Sequence, residues 1–100
     1  KFMDTLRHIP LDEILFFETG EKSHRIILHG IRETMDFTGS IRELEKELAG
    51  RFVRVHRAYL ANADLVKSLD MRQKKVVFVN GETCLFSRKA KKELLELLGD

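Results

Sequence analysis

Eleven lysines and arginines fall within residues 51–92, against three acids, a local net charge of +8. Arg88, Lys89, Lys91 and Lys92 lie within five positions of one another, and Arg51, Arg54, Arg57, Lys74 and Lys75 precede them. Side chains of this type hold anions, and a section this basic suits a polyanion such as nucleic acid. Residues 1–50 carry seven bases against ten acids and residues 93–100 carry three acids, so the net charge of +2 hides the contrast. Charge alone serves a polyanion surface and a merely solvated face equally well.

The order of charges at the chain end separates the two. Ser87 is placed to cap a final helix, with Leu94, Leu95, Leu97 and Leu98 as its apolar side. Four cations open that helix, while Glu93 and Glu96 follow. A helix N-terminus already bears partial positive charge, so each cation there costs about 0.3–1 kcal/mol. An anion docked at that end would offset the cost, and phosphate suits both the side chains and the free N–H groups.

Other chemistries find less support. No G-x-S-x-G, P-loop or G-x-G-x-x-G occurs. The histidines are His8, His24, His29 and His56. His24 and His29 have zinc-finger-like spacing but, read as one strand, point to opposite faces. Cys84 is the single cysteine, so no internal disulfide forms, which fits a reducing cytoplasm. It reads as a small core residue. Glu43, Glu45 and Glu47 read as a solvated helix face. The expectation is a protein that is not an enzyme and has no metal or cofactor. The longest apolar runs, Ile14 to Phe17 and Val76 to Val79, are four residues each, so no membrane span is expected. No signal peptide is visible, and a start at Lys1 suggests a fragment of a larger protein.

The elements that must position these residues are mostly strands. One hundred residues, 43% hydrophobic with a single proline, make one domain with a core. Ile14 to Glu18 reads as a strand buried on both faces, and His24 to His29 as the next strand after a Thr19–Lys22 turn. Arg32 to Thr38 alternates weakly. Ser40 and Glu43 match a capping box before Ile41, Leu44 and Leu48, with Gly50 closing a short helix. Phe52 to Val55 is a strand, and His56 to Asn62 an irregular connection. Within it His56 reads as a structural residue bonding the loop backbone, Asn62 as an Asx-turn, and Tyr59 and Leu60 as core. Leu65 to Leu69 and Val76 to Val79 follow, and Asn80-Gly81 predicts a type I′ hairpin returning through Thr83 to Phe86. The fold class expected is mostly β, with antiparallel sheets and two short helices.

Two helices some forty residues apart make no helix-turn-helix, and Phe16, Phe17, Phe52 and Phe78 sit in strand patterns instead of an RNA-stacking run. If DNA is read, loops or strand ends read it. The runs IPLDEILFFE (9–18), FVRVHRAYLAN (52–62) and NGETCLFSRKAKK (80–92), in this order and spacing, resemble the LytTR DNA-binding domain family over residues 7–98. The KSHR turn at 22–25 resembles the Agr-type quorum-sensing response regulators.

The resemblance implies a mostly β domain that inserts loops into successive major grooves of double-stranded promoter DNA with repeated sites. It further implies transcriptional regulation in the cytoplasm, as the output domain (residues 1–100) of a two-component response regulator. An N-terminal receiver domain, phosphorylated by a histidine kinase, would promote binding as a dimer on DNA. By position, His24, Arg57 and Arg88 match the family's DNA-contacting residues, and Lys22, Ser23, Lys89 and Lys92 flank them. Arg57 departs from the asparagine of some relatives, and arginine favours guanine where asparagine favours adenine. The alternative reading is a protein-interaction module whose basic face binds an acidic partner.

Overall fold

A computed structural model describes residues 9–99, so Lys1 and His8 lie outside the described residues. The fold is built around β1 (Ile14–Thr19), whose first four side chains are all buried. Strict alternation would bury only every second residue. A bulge between Ile14 and Phe16 in the pairing with β2 lets neighbouring Leu15 and Phe16 join the same core.

β1 is the middle of an antiparallel sheet ordered β3-β2-β1-β5-β4. The other strands of this sheet are β2 (Arg25–Gly30), β3 (Thr34–Thr38), β4 (Phe52–His56) and β5 (Tyr59–Asn62). One face packs Ile14, Phe17, Ile26, Leu28 and Leu60 beneath α1 (Ile41–Glu47), through Ile41 and Leu44. The other face, with Leu15, Phe16, Val55 and Ala61, meets a second sheet. That sheet is ordered β6 (Val66–Asp70), β7 (Lys75–Phe78), β8 (Thr83–Leu85). Phe16 stacks on Phe78 across the two sheets, centroids 5.1 Å apart. The chain ends in α2 (Arg88–Leu98). Mostly β with two helices is therefore the observed class.

The serine caps form as the sequence suggests. Ser40 Oγ accepts from Glu43 N–H at 3.4 Å, and Ser87 Oγ accepts from Ala90 N–H at 3.2 Å. Gly50, just past α1, takes φ +96°, which favours glycine.

Four local expectations are corrected. Asn80-Gly81 is not a type I′ turn, because Asn80 lacks a positive φ. Gly81 alone takes +93°, and its N–H donates to the Phe78 carbonyl at 2.9 Å, a longer loop closed by a left-handed glycine. His56 to Asn62 is not irregular: it is the end of β4, a two-residue Arg57–Ala58 turn, and β5. His24 is outside β2, in the preceding turn, so the argument from opposite strand faces does not apply to the His24–His29 pair. Finally, only Leu94 and Ala90 of α2 are buried. Leu95, Leu97 and Leu98 stay 48%, 50% and 39% exposed, because the last turn runs past the core that Ala90 and Leu94 enter.

Asn62 is the buried polar residue of this core. Its Nδ2 donates to the carbonyls of Leu11 (3.1 Å) and Ile14 (3.0 Å), while Oδ1 accepts from Asp64 N–H at 3.1 Å. The Asx-turn expectation is met, and the same side chain anchors the entry to β1. Asn62→Leu removes all three bonds; the Leu11 carbonyl keeps the Ile14 N–H, but a buried group left without its partner costs about 1–3 kcal/mol. Urea denaturation should show a loss of at least that size at unchanged slope.

Candidate nucleic-acid interface

Four connections meet at one end of the five-stranded sheet. Glu18 pairs with Tyr59 in antiparallel register, so the end of β1 lies beside the start of β5. The β1–β2 and β4–β5 turns therefore share an edge. Thr19 N–H donates to the Ala58 carbonyl at 3.0 Å, joining them directly. Ser87 N–H donates to the Val55 carbonyl at 2.8 Å, which pins the start of α2 to the end of β4. Phe86 N–H donates to the Lys74 carbonyl at 2.9 Å, which adds the β6–β7 turn.

Each connection carries basic or polar side chains. Lys22, Ser23 and His24 are exposed on the β1–β2 turn, where Arg25 N–H donates to the Lys22 carbonyl at 3.3 Å. His24 is held at φ +64° with its carbonyl accepting from Gly39 N–H at 2.8 Å. Gly20 opens this turn, and a Cβ there would come within 2.9 Å of the Arg25 Cβ. Arg25 itself is committed to β3, pairing with Asp36 and donating to Thr38 Oγ1 at 2.7 Å.

Arg57 is exposed on the β4–β5 turn. The preceding Arg54 is turned inward by contrast. Its Nε donates to the His56 carbonyl (3.0 Å), Nη2 to the Arg57 carbonyl (2.8 Å) and Nη1 to Glu45 Oε1 (2.7 Å). Glu45 is thus an ion-pair partner, not a purely solvated carboxylate. His56 Nδ1 accepts from Ala58 N–H at 3.1 Å, the structural role expected of it. Arg88 is the first residue of α2, exposed like Lys89 and Lys92, and no acid occupies the first turn.

The site residues are brought together in two groups. Arg57 and Lys89 line one cleft with Arg54, His56 and Ser87, between the end of β4 and the start of α2. Lys22, Ser23 and His24 line a separate hollow with Gly39 and Ser40. Arg88 and Lys92 lie on α2 and line neither. Sequence reading missed that Arg72 and Lys74, both exposed, belong to the same end. Their charge was visible, but the Phe86–Lys74 bond that places them is a long-range pairing with no local signature.

Groups with reactive side-chain chemistry are committed elsewhere. Ring stacking on Phe16 (centroids 4.3 Å) and a contact of Nε2 with Glu18 Oε1 at 2.7 Å engage His29. Among the described residues no three His, Cys, Asp or Glu side chains gather to hold a metal. Cys84 is buried in the core. Burial pushes its thiol up to about 12, with the nearby Glu18 carboxylate adding to the rise, so it is protonated and inert at neutral pH. Among the described residues no helix is long and apolar enough to cross a membrane.

A family model, described as the LytTr DNA-binding domain, matches residues 4–99. The chain belongs to the LytTR DNA-binding domain family. The function that goes with membership is DNA binding in transcriptional regulation. The LytTR domain is 38% identical over 80 residues to Accessory gene regulator protein A of Staphylococcus epidermidis, covering 80% of this chain and 33% of that protein. It is 37% identical over 87 residues to Accessory gene regulator A of Staphylococcus aureus, covering 86% and 36%. The chain thus spans about a third of the length of these relatives. A solved LytTr DNA-binding domain from Bacillus cereus, from a protein described as a methyl-accepting/DNA response regulator, has the same fold. The TM-score is 0.75 at 23% identity, over 92% of this chain and 86% of that one. The likeness to this family carried by the three sequence runs, and that to Agr regulators drawn from the KSHR turn, are therefore correct.

Two outcomes follow for the LytTR domain. A left-handed φ costs a non-glycine residue about 1–2 kcal/mol, partly offset for glycine by its freer unfolded chain. In thermal melts His24→Gly should match or exceed the parent by up to about 1 kcal/mol, while His24→Val falls below it. The second concerns pH. The folded Cys84 thiol keeps its proton to about 12 and an ordinary one loses it near 9.0, so stability is full below pH 9 and falls as pH rises toward 12. Tyr59, raised from 10.0 chiefly by burial, acts in the same direction. Tm should therefore decline above about pH 9, and Cys84→Ala should flatten the decline while costing some packing.

Proposed function

We propose that this domain reads specific double-stranded promoter DNA through the turns and the helix start gathered at one end of its larger sheet. The observation that carries the reading is the set of main-chain bonds from Thr19 to Ala58, Ser87 to Val55 and Phe86 to Lys74, which align those basic connections in one row. From β2 to β4 that row crosses three strand spacings, about 14 Å. A major groove is about 12 Å wide, so residues at the two ends of the row address different stretches of the duplex.

In this reading His24, Arg57 and Arg88 address base edges. Lys22, Ser23, Lys89 and Lys92 hold phosphate, joined by Arg72, Lys74 and Lys91 on the same end. Arg57 offers guanine two bonds from a planar fork. Arg88 begins α2, where its side chain adds to the N–H groups and dipole of the helix end. Likeness to the accessory gene regulators supports the wider role of an output domain of an Agr-type, quorum-sensing two-component response regulator. There a receiver domain preceding this one, phosphorylated by a histidine kinase, would promote binding as a dimer to repeated sites in the cytoplasm. The domain's own part in that scheme is binding, not catalysis.

The test is duplex binding at several salt concentrations, with duplexes selected from a random pool and their single-base substitutions. About six phosphate contacts predict a log–log slope of roughly −5. Arg88→Ala should erase preference at one base pair, worth about 1–3 kcal/mol. Lys92→Ala should weaken all duplexes alike and shallow the slope by about one. A flat salt dependence with no preferred duplex would overturn DNA reading and favour an acidic protein partner.

A further inference from the structure

Two-residue hairpin turns normally take positive φ at one or both central residues, so that the turn matches the twist of its strands. Neither Arg57 nor Ala58 does so. The pairing of β4 with β5 also shifts between Arg54 and His56, a bulge that bends the strand into the turn. Strand pairing reaches the turn at His56 and Tyr59, but the turn lacks the backbone form that matches strand twist, and side chains reinforce it.

One guanidinium does most of that. The carbonyls it bonds, His56 O at 3.0 Å and Arg57 O at 2.8 Å, belong to the two peptide groups on either side of the Arg57 Cα. Peptide groups are planar, so holding both of them holds φ and ψ of Arg57 and hence the direction in which its Cα–Cβ bond leaves the turn. The third bond, to Glu45 Oε1 at 2.7 Å, ties the same guanidinium to α1 on the far side of the turn. Donors pointing three ways from one rigid plane are available only to arginine. His56 Nδ1, accepting from Ala58 N–H at 3.1 Å, completes the closure from inside the turn.

We propose that Arg54, oriented by Glu45, is a positioning residue that aims Arg57 at its base pair, so that specificity at that position depends on an arginine that need not touch DNA. The inference rests on the reading above in which Arg57 addresses a base.

The test measures binding of the full chain to duplexes selected from a random pool and to every single-base substitution of them. Arg57→Ala identifies the base pair that Arg57 reads, by loss of preference there of about 5- to 150-fold. Arg54→Lys keeps the charge but cannot make the three bonds. It should lose most of the same preference, at the same base pair only, with the salt slope unchanged. Glu45→Ala should produce a smaller loss at that base pair. In an Arg57→Ala background neither change should cost further preference, since the three residues act as one unit.

Equal weakening of all duplexes by Arg54→Lys, or an undiminished loss in the Arg57→Ala background, would overturn the proposal and make Arg54 an independent contact. Retention of preference by Arg54→Lys would overturn it as well. If Arg57→Ala itself leaves every preference intact, the reading of Arg57 fails and the positioning role falls with it, a pattern distinct from the others. Thermal melts establish that each variant folds. Should Arg54→Lys not fold, Glu45→Ala, at a partly exposed helix position, decides the question by the same comparison.

Discussion

Burial of β1 on both faces is the constraint from which the rest of this domain follows. Four consecutive large side chains, Ile14 to Phe17, are removed from water on a strand only six residues long. Each contributes about 1.5–3 kcal/mol, but only if both faces are covered and both edges paired. α1 covers one face, the second sheet covers the other, and β2 and β5 take the edges. Asn62 then satisfies the carbonyls where the chain enters the strand. Because β1 ends at Thr19, whose N–H bonds Ala58, this deeply buried strand also ties together two of the basic turns.

What could be read from the residues was whatever depends on near neighbours. The serine caps, the Asx-turn of Asn62 and the backbone bond of His56 all rest on contacts within a few positions. β1 was legible because its apolar run is itself local, even though the elements that bury it are distant. Errors arose where distant packing decides. Leucines 95, 97 and 98 have helical spacing, yet spacing does not reveal where the core beneath a helix ends. Asn-Gly suggested the tightest hairpin, but Phe78 N–H reaches the Glu82 carbonyl at 2.8 Å and sets a longer loop. The β4–β5 turn looked irregular because its closure depends on Arg54 and Glu45, nine residues apart. For the interface, composition located the basic section, family likeness named the positions expected to contact DNA, and neither foretold that four connections converge. Convergence is a property of sheet register.

Strain is concentrated at the same end of the molecule. Among the described residues, His24 and Lys74 are the non-glycine positions with left-handed φ, at 64° and 58°. Each lies in a connection of the basic end, and each has its carbonyl engaged by a main-chain N–H, from Gly39 and Phe86 respectively. Such conformations persist where the surroundings over-determine them, and they are commonest at functional sites. The opposite ordering of charge along α2, cations at the positive end of its dipole, adds a second local cost in the same place. Both are what a surface looks like when it is shaped for an anion that completes it.

The bonds that align the four connections run from main chain to main chain, at Thr19–Ala58, Ser87–Val55 and Phe86–Lys74. None of them uses the side chains at 24, 57, 72, 74 or 88, so those side chains can change without breaking the platform's bonds, residues 24 and 74 only as far as a left-handed φ tolerates. A scaffold of this kind separates inheritance of shape from inheritance of target. Descendants of one ancestral domain can acquire new operators by exchanging a few tips. The β4–β5 turn is the exception, since there an arginine and a glutamate must travel together with the tip they hold, and divergence at that position is bound to proceed by linked changes.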